Sequence, residues 1–137
     1  MADIYGEVIF LLIPILGLVF VAAVKNSESI KLFFLNLLTT SDWSLMSALI
    51  FGQCAHKMSK VVPKMEGQVG SGPYSFYVAK RIALIIVSLL MYALITFSPN
   101  VYLGGIQMLI FMISIYFFMK DSVASKILLK KIEKTHN

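Results

Sequence analysis

Four long apolar stretches follow one another along the chain, separated by short polar segments. Residues 5–24 and 101–119 are predominantly hydrophobic, residues 76–97 are so after Lys80 and Arg81, and residues 42–60 are apolar through their middle. Because a helix rises about 1.5 Å per residue, each stretch is long enough to cross about 30 Å of hydrocarbon. The pattern therefore predicts an all-α polytopic membrane protein whose four transmembrane helices form a single transmembrane domain.

Two further segments are predicted to be helical without crossing the membrane. Residues 30–38 are apolar but too few to span, which indicates a short interfacial helix or a re-entrant segment. Trp43 follows soon after, where a membrane–water boundary is expected. In the tail, residues 120–137, apolar side chains recur at helical spacing among lysines, which is typical of a basic amphipathic helix. Residues 61–73, rich in glycine and proline, are predicted to be a flexible connection.

Composition supports the membrane assignment and bears on whether the chain binds nucleic acid. Hydrophobic residues make up 58% of the 137 residues and the mean hydropathy is +0.83, well above the range of soluble globular proteins. The net charge of +5 comes from basic residues that lie between and after the apolar stretches rather than on one soluble face. We therefore expect membrane orientation, and not direct DNA binding, to explain the charge.

The distribution of lysine and arginine predicts the orientation. Ten basic residues fall on one side of a four-span arrangement, whereas only Lys25 and Lys31 fall on the other. The ten lie in the tail and at or between the adjoining ends of the second and third spans: Lys57, Lys60, Lys64, Lys80, Arg81, Lys120, Lys126, Lys130, Lys131 and Lys134. By the positive-inside rule both termini are predicted to be cytoplasmic, as for a protein of the bacterial cytoplasmic membrane.

The third and fourth spans carry two signals about helix pairing. Only the short segment Ser98-Pro99-Asn100 separates them, so an antiparallel hairpin is expected. Within the third span, Ser88, Tyr92 and Thr96 recur every four residues, and such a stripe is expected to form hydrogen bonds to a neighbouring helix.

The stretch 42–60 differs from the other spans because it presents two distinct stripes at 100° per residue. One consists of small side chains that let helices approach closely: Ser44, Ala48, Gly52 and Ala55. The other is largely polar: Met46, Leu49, Gln53, His56, Lys57 and Lys60. Polar groups at membrane depth are costly unless they face protein or water, so the second stripe is predicted to line a bundle interior or a pore. The alternative is a helix end whose lysines reach the headgroups.

The sequence gives little support for catalysis. Cys54 is the single cysteine. His56 has no Cys, Asp or Glu neighbour at metal-ligand or relay spacing, and His136 lies at the C-terminal end of the tail, where fraying is expected. Hydrolase, protease and nucleotide-binding motifs are absent from the sequence. We therefore expect a protein without enzymatic activity, cofactor or metal.

Two functions remain. The first is a homo-oligomeric pore or ion channel, predicted to be a tetramer that packs on the small-residue stripe and conducts along the polar one. The second is a membrane sensor or scaffold that recruits a cytosolic partner through its basic loop and tail. The tail lysines are candidates for binding anionic lipid, a cytosolic protein or an anionic nucleotide: Lys126, Lys130, Lys131 and Lys134. The general plan resembles small multi-span subunits of bacterial toxin and phage-defence operons, which implies an effector triggered by a cytosolic component.

Overall fold

The chain is all-helical throughout the part that the computed structural model describes, residues 2–26, 29–62 and 71–135. The five helices of these ranges are α1 (Ala2–Lys25), α2 (Ile30–Thr39), α3 (Asp42–Val61), α4 (Ser71–Phe97) and α5 (Val101–Thr135). Residues 63–70, most of the predicted connection, lie outside the described ranges, as does His136.

Two of these helices are long and apolar enough to cross a membrane. They are α4 over Gly72–Phe97 and α5 over Val101–Lys134. Shorter apolar helices are found over Leu12–Lys25, within α1, and over Ile30–Thr39, which is α2. α3 has the length but is more polar, and it is not among the candidate spans. Membrane insertion is therefore weakly supported by two helices, and the four-span arrangement stays a prediction.

α3 is the central helix of the fold and packs on both α4 and α5. Ser44 bonds to Gln107 near the start of α5, and Lys57 bonds to Ser122 further along, so α3 and α5 are parallel. Tyr77, near the start of α4, contacts Asp121, so α4 runs antiparallel to both. The prediction that α4 and α5 are antiparallel is therefore correct. However, α3 packs more extensively on α4 and on α5 than these two helices pack on each other.

The core lies along the buried side of α3 and is rich in aromatic side chains. Trp43 is only 3% exposed, its ring centroid is 5.0 Å from that of Phe111, and its Nε1 donates a hydrogen bond to the Leu37 carbonyl at 2.6 Å. Phe118 and Ile50 belong to the same cluster. Trp43 thus contacts protein rather than facing outward as a boundary anchor would, because its indole fills the space between α2, α3 and α5.

Hydroxyl groups within the helices mostly bond to their own backbone. Ser47 donates to the Trp43 carbonyl, Ser88 to the Leu84 carbonyl and Thr96 to the Tyr92 carbonyl, at 2.7–2.9 Å. The expectation that Ser88 and Thr96 bond across to a neighbouring helix is therefore wrong. The carbonyl four residues earlier lies within reach of each hydroxyl and satisfies it without a second helix.

Gln107 and Gly104 of α5 hold the end of α2 in place. The Gln107 side chain donates hydrogen bonds to the carbonyls of Leu38 at 2.8 Å and Thr40 at 2.6 Å, and accepts one from Ser44. A Cβ atom at Gly104 would lie only 2.7 Å from the Leu38 carbonyl oxygen, so the backbones approach closely because this position has no side chain. These contacts satisfy the carbonyls at the end of the short helix.

α5 continues without interruption from Val101 to Thr135. The tail is helical as predicted, but it extends the fourth predicted span rather than forming a separate helix. After Gly105 the segment contains neither glycine nor proline, so nothing in its sequence breaks the helix at Lys120.

Candidate functional site

α3 has one side buried in the protein and one side exposed. Its buried residues include Ser44, Ala48, Phe51 and Cys54. The opposite side carries four residues that were predicted to line a pore, which we name the outer face: Leu49, Gln53, His56 and Lys60. Leu49 is 61% exposed and the other three are also exposed. Met46 and Lys57, the remaining two of the six predicted residues, are half-buried at its edge.

The predicted small-residue stripe is divided between these two sides. Ser44 and Ala48 are buried within the single chain, where the Ser44 hydroxyl donates to Gln107 at 2.9 Å. Ala55 and Gly52 are half-buried, and a Cβ added at Gly52 would meet nothing within 4 Å. The first half of the stripe therefore packs inside the chain. Only the second half borders the exposed surface, where contact with another subunit stays a prediction.

A buried charged cluster joins α4 and α5 next to α3. Nε and Nη2 of Arg81 donate hydrogen bonds to the same carboxylate oxygen of Asp121, at 3.1 and 2.8 Å. The Tyr77 hydroxyl donates to that oxygen at 2.6 Å. The side chains of Arg81 and Asp121 are 4% and 7% exposed, so the ion pair is almost completely removed from solvent. Such a pair is weakly screened by salt and requires good geometry to offset its desolvation cost.

Aromatic rings complete the surroundings of the cations. The Arg81 guanidinium carbon lies 4.1 Å from the ring centroid of Phe117 and 4.9 Å from that of Tyr77. Lys57 lies 3.9 Å from the ring centroid of Phe118 and donates to the Ser122 hydroxyl at 2.8 Å. These contacts stabilise positive charge away from water. They also connect the end of α3 to the second half of α5.

Sequence reasoning did not identify the Arg81–Asp121 pair, although a signal for it exists. In an antiparallel hairpin, residues at similar distances from the turn face each other, and the two lie 18 and 22 positions from Pro99. Asp121 is also the first acidic residue after the turn. Paired charges of opposite sign inside apolar helices commonly mark functional or structural contacts.

The predicted partner-binding lysines lie at the same end of the fold as this cluster. Lys130, Lys131 and Lys134 are exposed on α5, and Lys126 is half-buried. Because α3 and α5 are parallel, the end of α3 that carries Lys57 and Lys60 lies on the side from which the tail extends. Among the described residues, the positive charge is therefore concentrated at one end of the bundle.

The remaining side chains offer no metal site among the described residues. No group of three or more His, Cys, Asp or Glu side chains comes together in this part of the chain. No protein-family model, curated protein or solved structure matches the sequence or the fold.

Proposed function

We propose that the chain forms a homo-oligomeric membrane pore and that the outer face of α3 lines its water path. The observation that carries this proposal is the exposure of Gln53, His56 and Lys60 on α3, beside helices whose outward side chains are largely apolar. In a lipid environment these polar groups would be costly. Contact with water in a path shared between subunits removes that cost.

The packing of α3 explains how so polar a helix can lie at membrane depth. Its 20 residues correspond to about 30 Å, the thickness of the hydrocarbon. On the buried side, Ser44 and Ser47 are fully buried and each donates a hydrogen bond within the chain, so neither hydroxyl would be exposed to lipid. In the proposed arrangement, the apolar surfaces of α4 and α5 would face the membrane.

The order of side chains along the outer face suggests how a path would work. Leu49 would supply an apolar point in the path. Gln53 lies one turn further along α3, and Lys60 follows at the basic end. A narrow apolar segment controls wetting, and a basic mouth concentrates anions and repels cations. We therefore infer a preference for anions that weakens as salt increases.

Conductance of purified protein in planar bilayers tests the proposal. Lys60→Glu should shift the reversal potential toward cation preference, and the shift should shrink at 1 M salt, where the Debye length falls to about 3 Å. Lys130→Glu is the matched control, since it makes the same charge change on the exposed surface of α5. Gln53→Leu should lower conductance without preventing insertion. No conductance from any oligomer, or equal shifts from the two lysine variants, would exclude this path.

The arrangement in the membrane is testable separately. With four spans and cytoplasmic termini, reporter domains fused after Lys64 and after Asn137 should both be cytoplasmic. Reporters placed at Asn26 or Asn100 should be external. A cytoplasmic reporter at Asn100 would contradict the α4–α5 hairpin as a pair of spans.

A second function, recruitment of a cytosolic partner, is favoured by the length of α5. Its 35 residues correspond to about 52 Å, roughly 20 Å more than the hydrocarbon requires. The surplus carries the exposed tail lysines and would present them to an acidic protein, an anionic lipid surface or a nucleotide. A pore triggered through this helix would combine both functions, as in a bacterial defence or toxin effector. Leakage of cells on expression distinguishes a pore from a scaffold alone.

A further inference from the structure

A groove between α1 and α3 changes from polar to apolar along its length. At its polar end a cavity of about 360 Å³ is bordered by Lys25, Asn36 and Asp42. It continues into an apolar cavity of about 390 Å³ between Gly17 of α1 and Leu49 of α3. Three residues line both cavities, so the two form one groove: Leu18, Val21 and Asp42.

Among the described residues, the lining of the polar end includes one cation and one anion. Lys25 is exposed in the last turn of α1, and Asp42 is half-buried at the first turn of α3. The Thr40 hydroxyl donates a hydrogen bond to the Asp42 carboxylate at 2.8 Å. Asn36 donates to the Asn26 side chain at 2.7 Å, which connects α2 to the end of α1. Lys25 and Asp42 thus lie among polar side chains whose hydrogen bonds connect the end of α1, α2 and the start of α3.

The apolar part has the length of a section of a lipid acyl chain. From Asp42 to Leu49 the groove extends about 10 Å along α3, roughly two-thirds of one leaflet. Gly17 contributes no side chain, and a Cβ placed there would meet nothing within 4 Å.

We propose that this groove binds a phospholipid with a protonated headgroup amine. Its phosphate contacts Lys25, its amine contacts Asp42, and one acyl chain lies between Gly17 and Leu45. Leu49, at the far end of the groove, separates this acyl chain from the water path. Charge complementarity at the polar end selects a zwitterionic amine headgroup over a purely anionic one, because Asp42 attracts the amine and repels additional negative charge. The proposal rests on the membrane insertion assumed in the proposed function.

Native mass spectrometry of the full chain in detergent tests the headgroup and the groove. Phosphatidylethanolamine and phosphatidylglycerol with identical acyl chains are added in turn. The wild type should retain phosphatidylethanolamine about tenfold more strongly, the effect of one charge-assisted hydrogen bond. Asp42→Asn should remove this preference while retaining both lipids. Equal retention of the two lipids by the wild type would overturn the assignment of the headgroup.

A bulky side chain at Gly17 tests the acyl-chain part. Gly17→Phe should lose bound phosphatidylethanolamine, whereas Gly105→Phe should retain it, since both glycines have open space around them and only Gly17 lines the groove. Retention by Gly17→Phe at the wild-type level would refute the groove as the lipid site. Dissociation of an oligomer by Gly17→Phe alone would show instead that a second copy occupies it.

Failure of this proposal is distinguishable from failure of the proposed function. If alkaline carbonate releases the protein from membranes, insertion itself is wrong and both proposals fail. If the protein resists extraction and conducts, but Gly17→Phe retains lipid normally, only the lipid site is wrong.

Discussion

Removing the carboxylate of Asp121 should strongly destabilise the fold. Asp121→Leu eliminates the acceptor of three hydrogen bonds, two from Arg81 and one from Tyr77. Arg81, which is only 3% exposed, is left without its counter-ion. Its Nη1 already has no hydrogen-bond partner among the described residues, so nothing there compensates for the loss. Breaking a buried ion pair by removing one partner costs about 3–5 kcal/mol.

Cys54 provides the assay without an engineered labelling site. It is the single cysteine of the chain, it is 0% exposed, and its backbone carbonyl lies 3.4 Å from the Tyr77 hydroxyl. A thiol-reactive dye should therefore label it only when the bundle opens. Because each 1.4 kcal/mol changes an equilibrium tenfold, a loss of about 3–5 kcal/mol should accelerate labelling by about 10²–10³-fold or more.

Two comparisons isolate the charge effect. The double variant Arg81→Met with Asp121→Leu removes both charges, so its labelling should be much slower than that of Asp121→Leu alone. Lys130→Met, which alters an exposed cation on the same helix, should label at the wild-type rate. Equal labelling of Asp121→Leu and the wild type would refute the reasoning that the pair is buried and needed for stability. Equal labelling of the single and double variants would show that packing, not charge, is responsible.

Two other substitutions test the junction of α2 with α5 through the midpoint of thermal unfolding. Gly104→Ala should lower the midpoint and reduce the free energy of unfolding by about 1–3 kcal/mol, because the new methyl group would lie 2.7 Å from the Leu38 carbonyl oxygen. Gly105→Ala, which meets nothing within 4 Å, should leave it unchanged or raise it, and equal effects at the two glycines would contradict the close approach. Gln107→Leu should cost up to about 1–3 kcal/mol for each half-buried carbonyl left without a donor, whereas Thr96→Val, at an exposed position, should change little. A midpoint for Gln107→Leu equal to that of the wild type would show that these carbonyls have other donors.

Helix positions followed directly from the sequence because they depend on local pattern. The apolar run 76–97 and the short run 30–38 are each helical, and the break at Ser98-Pro99-Asn100 separates α4 from α5 as expected. Hydrophobic periodicity and chain-breaking residues act over a few neighbours, so they can be read from a single sequence. The predicted end of the fourth span before Lys120 is not the end of a helix. The change in polarity there indicated a boundary, but no local residue interrupts the hydrogen bonding of α5.

Which side of each helix contacts which neighbour was decided only by the tertiary structure. The two stripes of 42–60 were identified from the sequence, yet only the packing shows that Ser44 lies buried against Gln107 while Gln53 stays exposed. Arg81 and Asp121 are 40 residues apart, and each is an ordinary charged residue until the fold buries them against each other. The sequence by itself determined which segments are helical and where along the chain the positive charge is concentrated. The assignment of α3 to the centre, and with it the outer face, depended on long-range packing, because burial is a property of contacts between distant segments and not of local pattern.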